Sequence, residues 1–224
     1  MGWTKRLGFG LGAALALGAP ASVSYAQNRD SGEEPAFTVV KTDNAFELRD
    51  YEPIIVAEVT HSGGRRDASG RSFRRLAAYI FGQDRPDGGE PIAMTSPVIQ
   101  DRVDTAKVDQ DAKIAMTSPV IQEETGTDTW RMRFVMPAKY TMETLPTAPE
   151  DVTLTTVPAR RLATVKFNGY GSASDLAQME TFLTDWIVKE GLTPKGAFEY
   201  AFYDAPMVPG RMRRNEVLME VVVP

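Results

Sequence analysis

A single histidine, His61, and no cysteine at all narrow the chemistry open to this chain of 224 residues. Without cysteine there are no disulfides, thiolate nucleophiles, iron–sulfur clusters or zinc sites of the usual kind. One imidazole also excludes any site that needs two. A Ser-His-Asp arrangement would have to use His61, yet Val59-Thr60-His61-Ser62-Gly63 reads as a strand end entering a loop, a poor seat for a rigid base. No Gly-rich lysine loop, His-Glu-x-x-His or Gly-x-Ser-x-Gly is present. Carboxylates are plentiful, and an enzyme acting on a small ligand through one pocket carboxylate such as Glu199 or Glu216 is a further, weaker alternative. The turn Phe167–Ser174 has two glycines and no third. Ser172 or Ser174 therefore reads as a helix N-cap with Asp175 beside the positive end of the dipole.

Three other features each leave two readings open. Arg71, Arg74 and Arg75, and later Arg211, Arg213 and Arg214, are either solvated faces or forks for the carboxylates of an anionic ligand. His61 is either a loop residue without a specific role or an axial ligand to a haem iron, for which one neutral imidazole suffices. The nonapeptide Ile92–Gln100 recurs unchanged at Ile114–Gln122, across a polar, acidic segment. Two like strands so joined predict a long hairpin, with Pro97 at an edge or a bulge. The alternative is a Met- and Pro-lined wall of a ligand cleft.

The elements that must position these groups follow from periodicity. Phe37–Lys41 and Phe46–Tyr51 read as a hairpin, and Ile54–Thr60 as a strand buried on both sides. From Arg71 the period changes to that of a helix, with Phe73, Leu76, Ala77 and Ile80 on one face and Gly82 as its stop. Strands follow over Trp130–Met136, Val152–Val157 and Arg161–Phe167. A second helix starts near Ser174, buries Leu176, Met179, Leu183, Trp186 and Ile187, and ends at Gly191. Phe198–Tyr203 and Glu216–Val223 close the chain. Strand, strand, helix, strand, strand thus occurs twice, which predicts an α+β fold with internal pseudo-symmetry.

The 25 Lys plus Arg against 30 Asp plus Glu give a net charge of −5, unfavourable for binding nucleic acid. Residues 1–26 read as a secretory signal peptide: Lys5 and Arg6, an apolar Leu7–Leu17, Pro20, then Ser24-Tyr25-Ala26 before a cut. That apolar run is shorter than the roughly 20 residues a membrane span needs, so no stable membrane anchor is expected after cleavage. A polar leader over 27–35 and one domain over 36–224 are expected, in a periplasmic or secreted protein.

In order along the chain, five segments resemble the SOUL haem-binding family in its bacterial exported branch. Phe46-Glu47-Leu48-Arg49-Asp50-Tyr51 is similar to the opening strand motif, and Phe73–Gly82 to the helix that ends Tyr-Ile-x-Gly. Both Met-Thr-Ser-Pro-Val copies, Phe134-Val135-Met136-Pro137 with Leu145-Pro146, and Arg213-Arg214-Asn215-Glu216-Val217 supply the rest. The resemblance implies a distorted antiparallel β-barrel of two pseudo-symmetric halves, each with one flanking helix, related to bacterial effector-binding domains. It implies non-covalent binding of haem or another tetrapyrrole, with no reaction. By position the ring would meet Phe73, Ala77 and Ile80, with Met207 and Val208 from the late loop. Arg74, Arg75 or Arg211 would hold the propionates, in place of family lysines where this chain has Ala78 and Val208. The histidine of the ligand-bearing subgroup is Asp50 here. A second reading from the same residues is a module for another apolar or planar effector.

Overall fold

The computed structural model describes residues 33–103 and 129–222. The strands are β1 (Phe37–Asp43), β2 (Phe46–Tyr51), β3 (Ile54–Ser62), β4 (Val98–Arg102), β5 (Thr129–Val135), β6 (Thr153–Val157), β7 (Arg160–Phe167), β8 (Thr193–Phe202) and β9 (Asn215–Val222). Helix α1 (Arg65–Ile80) lies between β3 and β4, and α2 (Ala173–Lys189) between β7 and β8. The hairpin β1–β2 turns at Asn44, whose φ of +54° is a left-handed conformation that Asn tolerates better than most residues.

All strands form one antiparallel sheet in the order β1-β2-β7-β9-β8-β4-β5-β3-β6. The pseudo-symmetry is visible in that order. β7-β9-β8 reflects β4-β5-β3 across the β8–β4 seam, and each half lends its first strand to the other, β2 to β7 and β6 to β3. The sheet is not closed into a barrel. β1 and β6 are its edges, and Phe37 of β1 and Val157 of β6 line one cavity without pairing.

Both helices lie on one face. Strand alternation sends Val217, Met219 and Val221 of β9 to the core with Leu183, Trp186 and Ile187 of α2. Ala57, Val59, Met132 and Phe134 meet Leu76, Tyr79 and Ile80 of α1. The opposite face carries smaller apolar groups, Val56 with Ile99 and Val135, and Leu162 with Ala201 and Leu218. β3 is thus buried on both faces, as its apolar run predicts.

Helix α1 begins six residues before the expected Arg71, and its buried stripe is rotated. Ala68, Ser72, Leu76, Tyr79 and Ile80 face the sheet, whereas Phe73 is 39% exposed. Small residues at 68 and 72 let the helix approach closely, and Ser72 shares a hydrogen bond with His61 Nδ1 (2.9 Å). Helix α2 matches its predicted stripe. Its cap is Ser172, whose Oγ accepts from the Asp175 amide (3.2 Å) while the Asp175 carboxylate accepts from the Ser172 amide (3.0 Å). β8 starts at Thr193, five residues before the expected Phe198, and a bulge between Lys195 and Glu199 carries Gly196 at a φ of +82°. Of the first nonapeptide, only Val98–Gln100 is strand, pairing with β5 and β8. The second copy, and so the hairpin between the two, lies outside the described residues. Among the described residues no helix is long and apolar enough to cross a membrane.

Candidate ligand-binding sites

The outer flank of α1 presents Phe73 and, one turn on, the half-buried Ala77. Phe73 packs edge-on against Phe134 (centroids 5.3 Å apart), so its outer face is held rigidly toward solvent. Ile80 is 1% exposed inside the α1 core, so a ring laid over the helix meets Phe73 and Ala77 but not Ile80. Met207 is 86% exposed and Val208 half-buried in the loop between β8 and β9. Arg213 shapes that loop by donating to the carbonyls of Val208 (2.7 Å) and Pro206 and stacking over Tyr170 (4.7 Å). The loop docks on the turn between β7 and α2, which the start of α1 also holds: Gly169 N donates to Gly210 O (2.9 Å), and Arg65 Nη2 to Gly171 O (2.7 Å). Phe73 lies eight residues further on, about 12 Å along the helix.

Of the arginines named for propionates, Arg75 is occupied, gripping Asp151 through two nitrogens (2.5 Å each) and also pairing with Asp84. Arg74 and Arg211 are exposed. His61 is in β3 rather than a loop, opposite Trp130, and burial with the nearby Arg71 lowers its pKa despite Asp151. Its Nδ1 is engaged by Ser72, a structural tie between β3 and α1. The exposed groups among the named residues are thus Phe73, Met207, Arg74 and Arg211. Among the described residues no cluster of His, Asp and Glu could hold a metal ion.

The other face of the sheet is where the charged strand residues meet. Arg49 and Glu216, both fully buried, form a two-pronged pair (2.8 and 3.0 Å). Arg49 also donates to Glu47 (2.7 Å) and Tyr51 (2.8 Å), and Glu216 accepts from Tyr203 (2.8 Å) and Arg214 (3.1 Å). Beside them Arg160 forks onto Glu199 (2.5 and 2.8 Å), and Arg133 bridges Glu199 (3.4 Å) and Asp101 (3.0 Å), which Arg131 also holds (2.6 Å). These last groups line an open cleft of about 590 Å³.

Burial pushes the Glu216 carboxyl up, but Arg49, Arg214 and Tyr203 outweigh it and bring the pKa down to about 2. Burial likewise opposes, and Arg160 with Arg133 overcomes, so Glu199 also sits below the usual range. Burial raises Tyr51 to about 12. Both carboxylates are therefore ionised and committed to arginines at neutral pH, the opposite of what a proton-donating acid needs. A carboxyl whose folded pKa lies below its unfolded value stabilises the fold fully above the unfolded pKa and loses that contribution as pH falls. For Glu216 the window is pH 4.5 down to about 2, worth about 3 kcal/mol. Urea melts from pH 6 to pH 2 should show this slope in the parent chain and a shallower one in Glu216→Gln.

Arg49, Arg133, Arg160, Tyr51 and Tyr203 are absent from the sequence-based site. Their signal was present: Trp130-Arg131-Met132-Arg133-Phe134 alternates charged with apolar at period two, which places arginines on a shared sheet face.

The family model of the SOUL heme-binding protein matches residues 32–220. The chain belongs to the SOUL family. Comparison with curated proteins finds no match. Among solved structures, the C-terminal domain of EcmrR is similar with a TM-score of 0.54 at 11% identity, over 79% of this chain and 96% of that one. A hydrolase from Listeria innocua gives 0.50 at 13% identity, over 79% and 91%. At such identities these likenesses establish the fold alone. Asp50, which replaces the histidine expected of the ligand-bearing subgroup, pairs its carboxylate with Arg161 (2.6 and 2.7 Å).

Proposed function

We propose that this chain binds haem or a related tetrapyrrole non-covalently, as a carrier or buffer outside the cytoplasm. The SOUL family match along residues 32–220 carries the reading. The exposed apolar flank of α1 supports it, since a large flat ring gains affinity in proportion to the apolar area it buries. Phe73 and Ala77 would take the ring face, Met207 and Val208 an edge, and Arg74 or Arg211 the propionates as charge-assisted partners. Bound haem supplies an iron centre and its absorbance. The signal-like residues 1–26 support export.

Titrating hemin into the protein and following the Soret band tests this. Phe73→Glu should weaken binding at least tenfold, and Arg74→Glu with Arg211→Glu should weaken it more at low salt than at high. His61→Ala should leave it nearly unchanged, because the ring contacts and not the imidazole hold the ligand. No Soret shift would remove the haem reading. A sharp six-coordinate spectrum lost in His61→Ala would make His61 the axial ligand.

A second reading, another planar effector in place of haem, is favoured by the pairing of Asp50 with Arg161 and of Arg75 with Asp151. Equal binding of metal-free protoporphyrin and of a smaller uncharged aromatic would support it.

A further inference from the structure

On the sheet face opposite both helices, Phe37, Tyr51, Ile54, Ile99, Leu162 and Leu218 line a cavity of about 20 Å³. That is room for about one water. One wall is not sheet at all. It is Glu34-Pro35, from the irregular segment 33–36 that precedes β1. A groove of about 280 Å³ shares Glu34, Pro35, Glu52 and Ile54 with this cavity. The strap is thus a wall common to both.

A few polar contacts hold it there. Glu33 accepts from the Ser96 amide through its carbonyl (2.9 Å) and from the Ala138 amide through its carboxylate (2.8 Å). Ala36 accepts from the Glu52 amide (3.2 Å). Both oxygens of Glu34 lie 3.1 Å from Arg214 Nη1. An irregular, half-exposed segment with so little packing belongs to the low-stability end of a fold.

We propose that residues 33–36 are a displaceable plug in a binding site for a small apolar carboxylate. The plug has the chemistry of the ligand it excludes, since it sets a carboxylate on Arg214 and a saturated ring, Pro35, against the apolar wall. Arg214 stacks over Tyr203 (3.7 Å) and shares Glu216 with Arg49. When Glu34 leaves, a guanidinium nitrogen faces the opened space without its partner, while Glu216 remains neutralised by Arg49. An anionic oxygen pair can take the place of Glu34 there, since of the other carboxylates lining the cavity Glu199 is forked by Arg160 and Glu52 is exposed to water. The groove, about 280 Å³, is close to the roughly 300 Å³ at which small-ligand sites begin. A two-ring carboxylate fits that size. The site is independent of the haem reading, because α1 packs on the other face.

Calorimetry of the whole chain with 1-naphthaleneacetate, and with 1-naphthaleneacetamide as the uncharged analogue, tests the proposal. Glu33→Ala with Glu34→Gln weakens the plug's two side-chain anchors without touching the core, and should tighten naphthaleneacetate binding at least tenfold. The amide should bind that variant at least tenfold more weakly than the carboxylate. In the parent chain, saturating naphthaleneacetate should speed hydrogen exchange at the Ser96 and Ala138 amides, the donors to Glu33. Unchanged affinity in the double variant, equal binding of acid and amide, or unaltered exchange at both amides would each overturn it.

Discussion

Arg49→Ala should destabilise the fold by roughly 3–5 kcal/mol, the cost of stranding a buried charge. The Glu216 carboxylate is fully buried and takes two of its hydrogen bonds from Arg49. Arg214, itself partly exposed, can compensate only in part. Arg49 also donates to Glu47 and Tyr51 of its own strand, so its removal leaves a Tyr51 hydroxyl and a second carboxylate with fewer partners. The pairing is costly to break and not uniquely stabilising. Arg49→Met combined with Glu216→Met should recover most of the loss, because apolar side chains of similar volume replace a buried ion pair at little cost. Urea melts with an unchanged slope would report both values. A loss below 1 kcal/mol for Arg49→Ala would mean that Glu216 is already solvated.

Trp186→Ala should cost a similar roughly 3–5 kcal/mol, here through a cavity. The ring is 4% exposed, stacks on Phe46 (centroids 5.5 Å, 7° between planes), and its Nε1 donates to Asp43 (3.1 Å). It fastens α2 to the β1–β2 hairpin across 143 residues of chain. Trp186→Phe should cost distinctly less, since it keeps most of the stacked area and loses the hydrogen bond. A melt showing less than 1 kcal/mol for Trp186→Ala would place that face of α2 in solvent.

How far the sequence carried depended on whether a residue's fate is local. The α2 stripe was legible because Leu176, Leu183 and Trp186 are large, apolar and one face wide. The α1 stripe is legible at Leu76 and Ile80 but not at Ala68 and Ser72, which look like surface, while Phe73, on the predicted face, is 39% exposed. His61 falls past the predicted strand because its partner Ser72 lies on the next element, beyond any strand pattern. The family and the helix surface followed from motifs. The ion-paired face did not, because Arg49 meets Glu216 only after the sheet has brought together positions 167 residues apart. The open edges were equally illegible, as closure depends on pairing between β1 and β6, which share no local signal.

The exchange of first strands between the halves has a bearing on assembly. Arg49 of β2 lies opposite Leu162 of β7, and Val56 of β3 opposite Thr155 of β6, so the defining pairs join positions 113 and 99 residues apart. Severing the chain in the segment between β5 and β6 would yield two pieces, each retaining the strand that the other's sheet requires. Neither should fold by itself, whereas mixed they should reconstitute one molecule. A lone repeat could satisfy its sheet only by trading that strand with a second copy, and so would exist as an intertwined dimer. Joining the two copies in one chain turns a concentration-dependent association into an intramolecular step.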